Sequence, residues 1–472
     1  MHPAPSRLFR SWTSAGVVTA LPVIAPGCAA PPPSLPPPLA SGSGCAVDRD
    51  CPPAASPCAQ ARCLSGRCRQ EPKPGGAPLP DEQRGDCKKL VCGPSGQVEA
   101  QEDPKDVPVE ARACFKTRCE PGGPVSQPTP GATCEKQGVC SRDGECLEVV
   151  SIAAQAHHAC ALMAGGDVLC WGVNRQGQIL GDDAEAILGR PARVSFVREA
   201  TAVAVNETQS CALFADGAVG CWGGRGRSAA RRRAGEPSFA PVQGLTGATW
   251  IGAAGYQACA IHGERLLACW DDATPRAVPI GRFRRQPKQV SVGPNAVCAA
   301  LEDGAVQCFA ARFPEHRYFP PPMGGVDRLR DVEQVAVGTW HACARHRDGA
   351  VSCWGINWNG EIAAGVRLSI EGAAPYPPTR VSGVAGAEAI FAGARHSCVL
   401  RDGGQLVCWG FPYPGMNSAS AQPVQGFESV RSAALGVDFL CAILQDGRAV
   451  CAGDESGRPM SGEGAGAHAI LF

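Results

Sequence analysis

Cysteine is the residue with the greatest chemical capacity here, at 27 of 472 positions. Paired cysteines close disulfides, whereas free thiolates attack electrophiles or bind soft metals. Fourteen of them fall in one frame, Cys-x9-Cys, at Cys160/Cys170, Cys211/Cys221, Cys259/Cys269, Cys298/Cys308, Cys343/Cys353, Cys398/Cys408 and Cys441/Cys451. The first cysteines of successive frames are 51, 48, 39, 45, 55 and 43 residues apart. A period in that range marks stacked or radial repeats.

Two other residue types repeat with the frame. His158, His341 and His396 each stand two positions before a first cysteine, and Gln209 and Gln257 hold that place in two other copies. Clustered histidines would suggest a metal or a general base. Residues at one repeat position lie in different structural units and far apart, so their role reads as structural. Aspartate precedes glycine or lies close to it at Asp216, Asp303, Asp348, Asp402 and Asp446. Aspartate favours tight turns, which explains the pattern without calcium or a catalytic carboxylate pair. The chain has no Gly-x-Ser-x-Gly elbow, His-Glu-x-x-His helix or Gly-Lys-Ser/Thr phosphate loop. The sequence therefore offers no catalytic set, and we expect no metal or cofactor.

The element that positions these residues is a β-hairpin. In the cleanest copy, Cys211 to Gly223, apolar residues alternate on both sides of Ala215-Asp216-Gly217. A three-residue turn ending on a left-handed glycine joins such strands. Gly166, Gly217, Gly304, Gly349, Gly404 and Gly447 keep that place, while the third copy has Arg265. Centring the turn on Asp216 sets Leu213 opposite Val219 and Cys211 opposite Cys221, as a non-hydrogen-bonded pair with Cα atoms about 4.5 Å apart. A disulfide spans that distance, so seven intra-hairpin disulfides are expected.

The seven pairs take fourteen cysteines, twelve more lie between Cys45 and Cys146, and Cys28 is left over. Pairing at this density implies an oxidising compartment. The formal net charge is zero, which argues against a general polyanion binder but leaves local patches open. No internal stretch reaches the ~18 apolar residues of a spanning helix. Residues 1–27 read as an export signal: Arg7 and Arg10, then a short apolar run from Ala15 to Ala25. Ala25-Pro26-Gly27-Cys28 resembles a bacterial lipoprotein signal, which implies lipidation of Cys28 as the mature N-terminus and placement at the outer membrane or cell surface. Failing lipidation, the protein would be periplasmic or secreted.

Residues 28–44 form a Pro-rich linker, including Pro31-Pro32-Pro33 and Pro36-Pro37-Pro38, stiff and without core-forming side chains. Residues 45–148 form a cysteine-rich segment with few large apolar residues, where disulfides replace a core. It contains no histidine, which favours disulfides over zinc. Its connectivity stays open, because sequence does not fix pairing.

Residues 149–472 carry the repeats. The string His-x-Cys-Ala-Leu-x-x-Asp-Gly-x-Val-x-Cys-Trp-Gly resembles the regulator of chromosome condensation family. Asn174, Gly177, Gln178 and Gly181 match that family's Asn-x-x-Gly-Gln-Leu-Gly tail with one residue extra before the last glycine, and Asn357 and Gly360 match part of it. Tryptophan follows the second cysteine at Trp171, Trp222, Trp270, Trp354 and Trp409, with Phe309 and Ala452 elsewhere. The resemblance implies an all-β fold: a seven-bladed β-propeller preceded by a disulfide-rich, loop-dominated segment. Residues 466–472 resemble the opening strand at 386–391 and are expected to complete blade one, latching the ring.

Function is expected to be non-catalytic binding of a protein or surface polymer. An enzyme or lyase acting on extracellular polysaccharide is the alternative, and guanine-nucleotide exchange on a small GTPase, as in the family's nuclear founder, fits an exported protein poorly. The basic clusters Arg225/Arg227/Arg231/Arg232/Arg233 and Arg282/Arg284/Arg285 follow hairpins, with Phe283 as their one aromatic for stacking, and no nucleic-acid partner is expected. Arginines and aromatics on loops of a rigid scaffold are the material of interfaces. Arg231, Arg232, Arg233, Tyr318, Phe319 and Trp358 are the expected partner contacts.

Overall fold

The computed structural model describes residues 44–80, 84–134, 138–181, 186–224, 239–272, 276–311, 326–362, 368–369, 374–410, 420–437, 439–453 and 468–470. The chain divides into two compact units, Met1–Asp106 and Val107–Phe472. The first holds two hairpins, Ala59–Leu64 with Arg67–Pro72 and Lys88–Cys92 with Val98–Glu102. Disulfides Cys45–Cys63, Cys51–Cys68 and Cys58–Cys92 staple it. Large apolar side chains are scarce there, so covalent cross-links replace a core.

The second unit begins with the hairpin Phe115–Glu120/Gly123–Pro128 and disulfides Cys114–Cys140 and Cys134–Cys146. All 26 cysteines from Cys45 to Cys451 are disulfide-bonded. The cysteines of the two tightest sulfur clusters, Cys45/Cys51/Cys68 and Cys114/Cys134/Cys146, are thus engaged in bridges.

Seven antiparallel sheets follow. Blade one is Val149–Gln155, His158–Met163, Val168–Val173 and Ile187–Arg193. Blades two, three, five and six repeat this order from Ala200, Ala248, Val332 and Ala387, and blade four has three strands among the described residues, Pro287–Val292, Ala296–Leu301 and Val306–Ala310. The expected register holds: Leu213 opposes Val219 and Cys211 opposes Cys221.

Each of the seven frames closes its disulfide. The bridges are Cys160–Cys170, Cys211–Cys221, Cys259–Cys269, Cys298–Cys308, Cys343–Cys353, Cys398–Cys408 and Cys441–Cys451. One quantity differs from expectation. The Cα atoms lie 4.0 Å apart at Cys259–Cys269 and at Cys398–Cys408, and 4.0–4.1 Å apart in the other five. An unbridged pair of this kind would stand about 4.5 Å apart. The bridged pairs thus lie at the short side of both strand pairing and disulfide geometry.

The turn glycine does more than adopt φ = +79° at Gly217. Its carbonyl accepts from Ala248 N–H at 3.0 Å, at the start of the next blade, and a Cβ there would lie 2.5 Å from Gly247 Cα. The hairpin tips of blades one, two, four and five make this bond to the next blade through Gly166, Gly217, Gly304 and Gly349, whereas blade three has Arg265 at the turn.

Packing explains the Cys-Trp dipeptide. Adjacent strand residues face opposite sides of a sheet. In blade one Cys170 packs toward blade two, with Val205, Ala212 and Trp222, while Trp171 packs toward blade seven, with Phe439 and Ile443. Blades three and six repeat the division. Cys269 faces Val290 and Val297 of blade four while Trp270 faces Ala204 and Cys211 of blade two. Cys408 faces Leu435 and Leu440 of blade seven while Trp409 faces Ala336 and Cys343 of blade five. The buried core is accordingly a set of seven inter-blade layers. Where tryptophan is missing, phenylalanine fills the layer: Phe309 stands edge-on to the fully buried Phe283, ring centroids 5.2 Å apart, between blades three and four. Phe427 is buried between blades six and seven, where Ala452 replaces tryptophan.

The chain's end differs from expectation as well. Strand His468–Ala469 pairs with Ala449–Gly453 and completes blade seven, while blade one already holds four contiguous strands. The reason is positional. Ile470 N–H bonds Ala449 O at 2.8 Å, the bond that Val242 makes to Val219 and Val424 to Leu406 after fourth strands. The segment thus copies the strand before a new blade rather than the one that opens it. The ring closes by side-chain packing of blade seven on blade one and by Val437 N–H on Ala156 O at 3.2 Å.

Candidate binding face

Antiparallel order places the turn between strands one and two and the connection between strands three and four at the same end of every blade. At that end the Asn-x-x-Gly loops of blades one and five fold onto their own asparagines. Asn174 Oδ1 accepts from Ile179 N–H at 2.8 Å, and Asn357 Oδ1 accepts from Ile362 N–H at 2.9 Å. The closed loops then present carbonyls to the following blade. Trp222 Nε1 donates to Ile179 O at 3.1 Å, and Trp409 Nε1 donates to Glu361 O at 2.8 Å.

The repeat histidines belong to the same joints. His158 Nε2 lies 3.0 Å from Ser210 Oγ, which itself donates to Gln178 O at 2.7 Å. The serine's single proton is thereby committed, so Nε2–H is the donor. His341 Nε2 and Ser397 repeat the arrangement at 2.8 Å, with Ser397 donating to Glu361 O. Burial depresses the imidazoles of His158 to about 3, His341 to about 4 and His396 to about 3, the first helped by neighbouring His157 and the last by His341 and Arg395. His158 and His341 are inter-blade fasteners in separate interfaces, in keeping with the structural reading.

The central opening is a cavity of about 360 Å³ walled by the first strands of all seven blades. Its polar side chains are glutamines and a serine, with no ionisable side chain among the described lining residues. The amides stitch neighbouring first strands: Gln289 Oε1 accepts from Val335 N–H at 2.8 Å, and Gln334 bonds both N–H and O of Ile390. Such side chains satisfy the edge groups that a blade exposes toward the axis.

At the end carrying the Asn loops, the seven first turns surround a basin of about 220 Å³, lined by Glu207, Gly255, Pro294, Trp340, Arg395 and Val437 among others. The turns are tied to one another, Glu207 N–H to Gly255 O at 2.7 Å and Asn295 Nδ2 to Thr339 O at 2.8 Å. Trp358, expected as a contact, stands edge-on to Trp340 with centroids 5.3 Å apart, and both rings are half-buried. Glu361 lies in the same loop as Trp358, fully buried. Burial raises its carboxyl above the usual range, opposed by hydrogen bonds from Asn359 and by Arg395.

Sequence reasoning missed Trp340, Arg395 and Glu207. The available signal was the variable position between each turn's first residue and the His/Gln-x-Cys string, as in Gly338-Thr339-Trp340-His341. Arg231, Arg232, Arg233, Tyr318, Phe319 and Cys28 lie outside the described residues, as do Arg225 and Arg227. The cluster at Arg282, Arg284 and Arg285 is described, but Phe283 is a core residue and cannot stack on a base.

The regulator of chromosome condensation (RCC1) repeat model matches residues 149–178, 332–361 and 388–413. The chain is similar to Prp20p of Saccharomyces cerevisiae, at 18% identity over 69% of this chain and 88% of that one, with a TM-score of 0.53. It is also similar to human WBSCR16, at 14% identity over 75% and 94% of the two chains, with a TM-score of 0.50. Two of the matched stretches begin in the first strands of blades one and five and end in their asparagine loops, where the fastening residues lie. The domain after the cysteine-rich segment is a seven-bladed β-propeller that carries RCC1 repeats in blades one, five and six.

Proposed function

We propose that this protein is an exported, non-catalytic binding protein, held at the cell surface through lipidated Cys28, whose propeller contacts a protein partner with the end that carries the Asn loops. The observation that carries this reading is the basin ringed by first turns, where Trp340, packed edge-on against Trp358, lines the wall with Arg395 and Glu207 on a hydrogen-bonded rim. Tryptophan and arginine on a rigid scaffold are the residues that dominate protein interfaces. Complete disulfide pairing from Cys45 onward supports an oxidising compartment. Prp20p, whose structure was described with its binding to Gsp1p and histones, shares the fold, which supports protein binding in general.

Two measurements test the reading. Mass spectrometry of the mature protein from its native host should find an acylated N-terminus at Cys28 and 26 alkylatable cysteines only after reduction; an intact Met1 with free thiols sinks the export reading. A photo-crosslinking residue at position 340 should capture one protein, and the same residue at position 216, on the opposite end, should not. Equal capture at both positions rejects the proposed face.

A further inference from the structure

The opposite end of the propeller carries a cavity of about 730 Å³ on the outer side of blade five. Arg328 and Arg330, from the connection leading into the blade, meet Arg347 from its hairpin turn and Arg380 from its fourth strand, with Asp331 and Asp348 between them. We infer that this cavity binds an anionic polysaccharide, through its carboxylate or sulfate groups on the four guanidiniums.

The guanidiniums are placed but little used. Arg330 spends Nη1 on the carbonyls of Asp327 and Leu329, Arg347 spends Nε on Glu333 at 3.1 Å, and Arg380 spends Nη2 on Asp348 at 2.7 Å. Arg328 makes no ion pair among the described residues. A guanidinium has five donors, so most of the twenty are uncommitted. The Arg380–Asp348 pair is 60% and 61% exposed at its side chains. A pair that open is worth little and exchanges readily for an incoming oxyanion. The frame beneath is fixed: His346 Nδ1 donates to Arg330 O at 2.8 Å, and Arg347 N–H bonds Asp331 O at 2.8 Å. Guanidinium forks held in place suit bidentate binding of carboxylate or sulfate.

The occupant follows from what the cavity lacks. Its fourth-strand wall contains Pro377-Pro378, which offer no N–H groups to a peptide adding as a strand. No Phe, Tyr or Trp lines it among the described residues, so it provides no pocket wall of the kind that anchors protein hot spots. Its volume falls in the range of small-ligand sites, room for a few sugar rings. Repeated cations without backbone or aromatic readout match a ligand with repeated anions.

The test uses the full mature chain and titration calorimetry at low salt. Polygalacturonate supplies carboxylates, dextran sulfate supplies sulfates, and neutral dextran is the control; the stronger of the two anions identifies the group recognised. The double variant Arg328→Ala/Arg347→Ala should weaken binding at least tenfold. Arg282→Ala/Arg284→Ala, which removes equal charge from blade three, should change it less than twofold. Arg328→Gln alone, at an exposed residue without an ion pair, keeps the test open if the double variant unfolds, and should weaken binding about threefold. Equal weakening by both double variants, no binding of either anionic polymer, or competition by polyglutamate or duplex DNA as effective as by the polysaccharide overturns the inference. The variant Trp340→Ala, at the opposite end, should leave this binding unchanged, which separates the cavity from the protein-binding face.

Discussion

His341 Nε2 in blade five stands 2.8 Å from Ser397 Oγ in blade six, and both are buried. The serine passes the connection on to Glu361 O, in the loop closed by Asn357. Blades one and two hold the same chain of residues, His158, Ser210 and Gln178. The blades that follow a histidine-and-asparagine blade in this way are the ones with serine before the first cysteine. The pairing joins two repeat positions across an interface.

Replacing Ser397 with alanine removes the acceptor of His341 Nε2 and leaves that buried N–H unpaired, while Glu361 O keeps its bond from Trp409 Nε1. The expected cost is about 1–3 kcal/mol in denaturant unfolding. A double-mutant cycle with His341→Gln should give a coupling of at least ~0.5 kcal/mol. Strict additivity would show that the two residues do not act as a joint.

Acid should loosen the propeller through these histidines. Their folded-state values are lowered to about 3, 4 and 3, so below the ordinary value of 6.5 the unfolded chain binds protons that the folded one does not. Stability is complete above about pH 6.5 and falls as pH drops toward 4, by roughly 2 kcal/mol per histidine at pH 5. Melting temperatures from pH 8 to 4.5 should show the fall. His158→Gln, the residue natural to blades two and three, should flatten it, and an unaltered pH slope in that variant would refute the assignment.

Two adjacent glycines separate conformational freedom from close approach. Gly403 and Gly404 have φ of +77° and +79°, but a Cβ at Gly403 meets open space, whereas at Gly404 it lies 2.6 Å from Ser429 Cα. Gly403→Ala should cost about 1–2 kcal/mol, the left-handed penalty alone. Gly404→Ala should cost clearly more, because backbone of the next blade has to move. Similar melting temperatures for the two variants would show that the strap between blades contributes nothing.

Among the seven hairpin bridges, reduction under native conditions should begin at Cys298–Cys308. Cys308 is the one half-buried cysteine of the fourteen, on the outermost described strand of blade four, whereas Cys269 and Cys408 at the same repeat position are fully buried. Thiol–disulfide exchange requires access to the sulfur. Brief treatment with a phosphine, alkylation and peptide mapping should label Cys298 and Cys308 before Cys343 and Cys353. Each hairpin bridge closes a short loop worth about 2–3 kcal/mol, so losing one should lower the melting temperature without unfolding the ring.

The sequence by itself determined the hairpin. Strand alternation, a three-residue turn and a fixed Cys-x9-Cys spacing are local, and local geometry sets the register and hence each disulfide partner. Seven in-phase copies implied the ring. The pairing of Cys58 with Cys92 or Cys114 with Cys140 was not legible, since no hairpin register links those residues. The C-terminal strand was misread for a related reason: 466–472 resembles an opening strand in composition, but the hydrogen bond of Ile470 to Ala449 assigns it to the end of blade seven. Only the tertiary structure brought Trp340 beside Trp358, or Arg328 beside Arg380, because each pair joins different elements of the chain. Closing a ring sets such partners by the packing of whole blades, and no spacing along the chain records it.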